Sequence, residues 1–154
     1  MRYQRNNGCG PAAVVNAAKA LGIHVRYPQA TKASGAGHDG VDETGIMQAV
    51  RDAGLSARPF SSNDRKESWD WLRGTLVSGR VVILCVDSWS HWVLTCGLLG
   101  VDRIILIDST RSERNKRENG IHVLTYHTLV RRWWNARQWA NGERRLYAIC
   151  VGKN

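Results

Sequence analysis

Apolar positions recur at helical spacing in the first half of the chain and crowd into short runs in the second. From Pro11 to Leu21 the pattern predicts a helix. Ala12, Ala13, Ala17, Ala18 and Ala20 favour it, and Val14, Val15 and Leu21 supply an apolar face. Pro11 suits a first helical position, where a missing N–H costs nothing, and Gly22 suits a left-handed stop. A second helix is expected over Glu43–Ala53, with Asp42 as N-cap and Ile46, Met47 and Val50 inward. A third is expected over Ser68–Val77, with Trp69, Leu72 and Leu76 on one face. Between the first two, the glycine-rich stretch Ser34–Gly40 reads as a loop.

The pattern then shifts to Val, Ile and Leu runs of strand length: Arg80–Asp87, His91–Leu99, Arg103–Ser109 and Leu146–Gly152, with a fifth over His122–Tyr126. Thr128–Trp139 reads as a short helix carrying Trp133, Trp134 and Trp139, and Arg111–Asn119 as a charged surface loop. Helices followed by consecutive strands argue for an α+β fold, N-terminal helices packed on an antiparallel sheet. At 154 residues, one domain spanning 1–154 is expected.

Composition is ordinary for a globular chain, 43% hydrophobic and 23% charged. That excludes disordered, collagen-like and coiled-coil classes. No apolar run approaches the roughly 20 residues that span a bilayer, and the first residues lack the apolar core of a secretory signal. A cytoplasmic protein is expected (host cytoplasm, if viral), without membrane contact. Charge is the outlying number: Lys+Arg is 22 against Asp+Glu 13, a net +9, and 17 of the 22 are arginine. Arg111, Arg114, Lys116 and Arg117 cluster, and Arg131 and Arg132 adjoin Trp133 and Trp134. Such a surface suits an acidic partner, nucleic acid, or simple solubility.

Four cysteines, at 9, 85, 96 and 150, include no CxxC pair, and the five histidines show no converging ligand set, so neither metal nor cofactor is expected. Cys85, Cys96 and Cys150 sit in apolar runs, as small buried hydrophobes do. Cys9 sits instead between glycines, just ahead of Pro11. Free N–H groups and the dipole at a helix start favour an anion and lower a thiol pKa. The position fits a nucleophile, and also an incidental cysteine. His91 opens one strand and Asp108 closes the next. A two-residue turn at Leu99-Gly100 would set them directly opposite each other, on one sheet face. An even slip in register keeps them on that face, whereas an odd slip separates them. The pair fits an oriented base, and equally a strand-end ion pair or an Asp starting the Asp108-Ser109-Thr110 turn.

Together, the segments Asn7–Ala13, Gly40–Ile46, Arg80–Leu84, His91–Leu94 and Ile105–Ser109 stand in an order and spacing that resembles the C39-like branch of the papain-like cysteine peptidases, over about residues 4–135. The resemblance implies that fold, a Cys9 nucleophile, His91 as base and acid, and Asp108 as the orienting residue. It also implies Gln4 as an oxyanion donor beside the Cys9 N–H, although Gln4 stands about one residue nearer to Cys9 than is usual. Asp108-Ser109 replaces the Asp-Pro frequent in that family. From the residues themselves, Gly8 leaves room for a substrate backbone, and Trp89 and Trp92, which flank His91, would shield the site or shape a substrate groove, with core packing the favoured role for Trp92. The reaction would be hydrolysis of a peptide or isopeptide bond through a thioester. A transamidase or deamidase using the same thiol, or a basic interaction module without catalysis, would be the alternatives.

Overall fold

In a computed structural model, residues 8–87, 90–110, 112, 117–134 and 145–154 are described. The elements run α1 (Cys9–Ala20), α2 (Tyr27–Ser34), α3 (Glu43–Asp52), β1 (Leu55–Ser62), α4 (Arg65–Val77), β2 (Val81–Val86), β3 (His91–Leu99), β4 (Arg103–Ile107), β5 (Ile121–Thr125), α5 (Tyr126–Trp134) and β6 (Leu146–Lys153). The six strands form one antiparallel sheet in the order β1-β6-β2-β3-β4-β5. This is the expected α+β fold, with helices packed on an antiparallel sheet.

Both faces of the sheet are covered, which explains why β2 is apolar at every position and buried along its whole length. On one face Cys9, Ala13, Val14 and Ala17 of α1 pack with Ile46 and Val50 of α3 against Ile83, Cys85, Trp92, Leu94 and Ile149. On the other, Leu72 of α4 and Leu129 and Trp133 of α5 pack against Val82, Leu84, Val93, Ile104 and Leu106. Trp133 is wholly buried, and its indole N–H donates to the Tyr147 carbonyl at 2.9 Å. Such a donor needs a partner once buried.

Two elements have no counterpart in the sequence expectations. Helix α2 is eight residues long and buries only Ala30 and Ser34, too little to give a period. Strand β1 contains Pro59, which pairs with Ile149 of β6. Proline donates nothing to a ladder, and an edge strand is where a sheet accepts it. Helix α4 starts three residues earlier than expected, because the Asp64 carboxylate caps the N–H of Glu67 at 2.8 Å. Helix α5 begins at Tyr126 and is described to Trp134; the expected continuation to Trp139 lies outside the described residues.

The β3–β4 hairpin sets the position of the site. Its turn holds three residues, Gly100 to Asp102, with Gly100 left-handed at φ 71°, so Leu99 pairs with Arg103. That register is an odd slip from the expected one and would carry Asp108 to the face opposite His91. A bulge between Thr95 and Gly97 removes the error: beyond it, Leu94 pairs with Ile107. The ladder's continuation then sets Thr110 opposite His91 and Asp108 on the adjacent diagonal of the same face.

Candidate active site

Cys9 is the first residue of α1, and no side chain caps that helix start. Its sulfur meets the N–H of Gly10 at that helix start, and the Trp92 N–H and His91 ring of β3 from the other side. Burial pushes the thiol pKa up, but these three bonds and the imidazolium charge outweigh it, and the thiol stands below its ordinary value. Cys9 keeps 7% of its surface exposed.

The start of α1 is held from two sides. The Gly8 carbonyl accepts from the Ala12 N–H at 3.1 Å and from the Tyr27 hydroxyl at 3.2 Å. Opposite, a Cβ on Gly10 would lie 2.1 Å from Val41 Cγ1 and 2.6 Å from Ile46 Cδ1, so only glycine permits this approach to the α3 side. Val41 is fixed in turn, since its carbonyl accepts the Trp92 indole N–H at 3.0 Å.

His91, the first residue of β3, sits where the two faces meet. Its Nε2–H donates to Asp108 Oδ1 at 2.8 Å, and Thr110 Oγ1 lies 3.1 Å from the same nitrogen. Nδ1 is thereby left for the sulfur. Burial lowers the His91 pKa, but the bonds to Asp108 and Cys9 dominate and carry it up to about 9. Burial likewise raises the Asp108 pKa, but the His91 partner and the Thr110 N–H, which donates to Oδ1 at 2.9 Å, hold its carboxyl well below the usual range. That last bond is the turn expected at Asp108-Ser109-Thr110, so the turn and the ion pair coexist. These directions all favour the charged forms, a thiolate beside an imidazolium beside a carboxylate.

Three expected site residues thus converge: Cys9, His91 and Asp108. Trp92 is buried, edge-on to Tyr147 with ring centres 6.3 Å apart, and it lines a cleft of about 640 Å³ with Val41–Gly45. Gly8 is buried at the start of α1. Gln4 and Trp89 lie outside the described residues.

The expected basic patch is corrected at one position. Arg132 does not project to a partner. Its Nε and Nη2 grip the Asp87 carboxylate at 3.1 and 2.6 Å, and Nη2 also lies 3.4 Å from Asp108 Oδ2. Two carboxylates draw it inward, the Asp87 pairing being bidentate and charge-assisted. Arg117 and Arg131 are exposed, while Arg111, Arg114 and Lys116 fall outside the described residues. The sequence reading also missed Tyr27, because a hydroxyl 19 residues from its acceptor leaves no periodic trace.

No protein-family model matches the chain. No curated protein matches it by sequence. Solved structures do match in fold. The peptidase domain of Streptococcus ComA, a bifunctional ABC transporter involved in quorum sensing, superposes with a TM-score of 0.68 at 14% identity, covering 100% of this chain and 97% of that one. A double glycine motif protease from an AMS/PCAT transporter, solved with its leader peptide, gives 0.71 at 14% identity, covering 100% and 90%. The N-terminal C39-like peptidase domain of a toxin secretion ATP-binding protein from Vibrio parahaemolyticus gives 0.62 at 11% identity, covering 96% and 98%. Among the described residues, no helix is long and apolar enough to cross a membrane.

Proposed function

We propose that the protein is a cysteine peptidase hydrolysing a peptide or isopeptide bond, with Cys9 as nucleophile, His91 as acid and base, and Asp108 as the residue that orients His91. The observation that carries this reading is the convergence of three groups at a helix N-terminus: the His91 ring against the Cys9 thiol, and its Nε2 bonded to Asp108 at 2.8 Å. The thiolate attacks the carbonyl carbon, and the oxyanion forms against the Cys9 N–H and the Gln4 amide. His91 gives its proton to the leaving amine as the C–N bond breaks, which leaves a thioester on Cys9. A water then attacks, giving a proton to His91. The S–C bond breaks, the acid leaves, and the ion pair is restored. Gly8, the residue before Cys9, and Trp92, which lines the neighbouring cleft, are the proposed substrate contacts. A reducing cytoplasm suits four cysteines that form no disulfide.

One structural relative was solved with a leader peptide bound, which makes peptides with a double-glycine motif the first substrates to try. Incubating them with the protein and with its Cys9→Ala variant, and reading the products by mass spectrometry, tests the reading. Cleavage by the parent alone is expected. Equal cleavage by the variant would remove Cys9 from the chemistry, and appearance of an amide when an amine is added would redirect the reading to transfer.

The pH profile follows from the same charges. Activity needs Cys9 deprotonated and His91 protonated. It is therefore expected to rise through an acid limb below the ordinary thiol range and to fall through a basic limb near pH 9. An acid limb at the value of a free cysteine would contradict the ion pair.

A further inference from the structure

Beyond the three converging groups, the sheet end carries a second charged arrangement. Asp87 closes β2 in a left-handed conformation, φ 54°, and starts the turn that leads into His91. A non-glycine residue holds that conformation only with support. Arg132 of α5 supplies it twice: its carbonyl accepts the Asp87 N–H at 3.1 Å, and its guanidinium takes both Asp87 oxygens. The same Nη2 reaches the one Asp108 oxygen that His91 does not use. One guanidinium therefore joins the turn before His91 to the carboxylate behind it, from a helix packed on the opposite sheet face to Cys9.

We propose that Arg132, anchored by Asp87, is a positioning residue: it fixes the rotation of the Asp108 carboxylate and the backbone entering His91, and so holds the imidazole against the Cys9 sulfur. The inference rests on the proposed relay and names what aligns it. Bidentate geometry is the reason an arginine is required, since a lysine is a point charge and cannot fix two carboxylates in a plane. Besides Asp87, Asp108 and His91, the cavity of about 380 Å³ at this point is lined by His122 of β5, which lies 2.7 Å from Glu118. Cys9 faces His91 from α1.

The test is the pH dependence of Cys9 alkylation by iodoacetamide, read on the Cys9 peptide by mass spectrometry, in the parent, Arg132→Gln, Arg132→Lys and Asp87→Asn proteins. If Asp108 turns away, His91 loses its hold on the thiolate and the midpoint of Cys9 ionisation rises. In Arg132→Gln a rise of about one pH unit is expected, so that alkylation on the acid limb slows about tenfold. Arg132→Lys is expected to recover only part of this, and Asp87→Asn to shift the midpoint the same way by less. A role confined to packing would lower the melting temperature and leave the midpoint in place. An unmoved midpoint in the folded variants overturns the clamp, and Arg132→Lys and Asp87→Asn decide if Arg132→Gln does not fold. A parent protein whose Cys9 ionises like a free thiol overturns the underlying relay instead.

Discussion

Replacing His91 with alanine is expected to slow peptide hydrolysis by about 10⁴-fold or more, with KM little changed. Three losses coincide at one side chain. The thiolate loses both a hydrogen bond and a neighbouring positive charge, and the burial that already opposes its ionisation is left unanswered, so Cys9 returns toward or above its ordinary pKa. The leaving amine loses its proton donor. The thioester loses the base that activates water. Asp108→Asn removes less, because the amide still occupies the site and His91 still reaches the sulfur. The Asn oxygen in the Oδ1 position still accepts from Nε2–H and from the Thr110 N–H, but the negative charge that stabilises the imidazolium is lost and the amide N–H is turned toward Arg132, so a drop of about 10²- to 10⁴-fold is expected. The ordering of the two variants is the informative result. Asp108→Asn falling further than His91→Ala, or His91→Ala retaining activity within tenfold, would mean that some other group moves the protons. Alkylation of Cys9 gives a second readout that needs no substrate: its acid limb should move up sharply in His91→Ala and less in Asp108→Asn.

Much of the site was legible in the sequence because it depends on parity rather than on exact register. His91 and Asp108 share a face under any even slip, and the bulge beside Cys96 converts an odd slip into an even one. The consequence of the two-residue displacement was not legible: it places Thr110 opposite His91 and gives Nε2 a second partner. Arg132 shows where local pattern misleads. Read with Arg131 it is half of a basic pair, but at helical spacing it lies three residues from Leu129 and beside Trp133, on the flank of the buried face. Its carboxylate partners are 24 and 45 residues away, and no short-range period encodes them. Strand β1 escaped for a related reason. Its order comes from the register with β6, whose paired residues lie 84 to 98 positions on, and its own residues, with a proline and an arginine among them, carry no sustained alternation of burial. Helices α1 and α3 were readable because each buries a face of its own, and β2 and β3 because they are continuous apolar runs covered on both sides.

Two helical glycines should answer the same substitution with opposite sign. Gly74 lies in α4, and a Cβ there would meet nothing within 4 Å. Gly74→Ala is expected to stabilise by up to about 1 kcal/mol, through the lost backbone freedom of glycine in the unfolded chain. Gly10 lies in α1 with Val41 and Ile46 directly against it. Ile46 is wholly buried, and Val41 is tied through its carbonyl to Trp92, so neither side can move without disturbing the bed of the thiol. Overpacking of this kind costs about 1–3 kcal/mol, enough to outweigh the propensity gain. The effect on activity should exceed the effect on stability. If α1 yields, Cys9 moves with it, and a displacement near 1 Å at a reacting atom costs on the order of 10²-fold. Urea unfolding and kcat for Gly10→Ala separate the two effects. Adding Val41→Ala removes both methyl groups of Val41, including the one 2.1 Å away, and should restore part of the activity even though it opens space in the core. A Gly10→Ala protein as active and as stable as its parent would show that the contact between α1 and α3 does not position the sulfur.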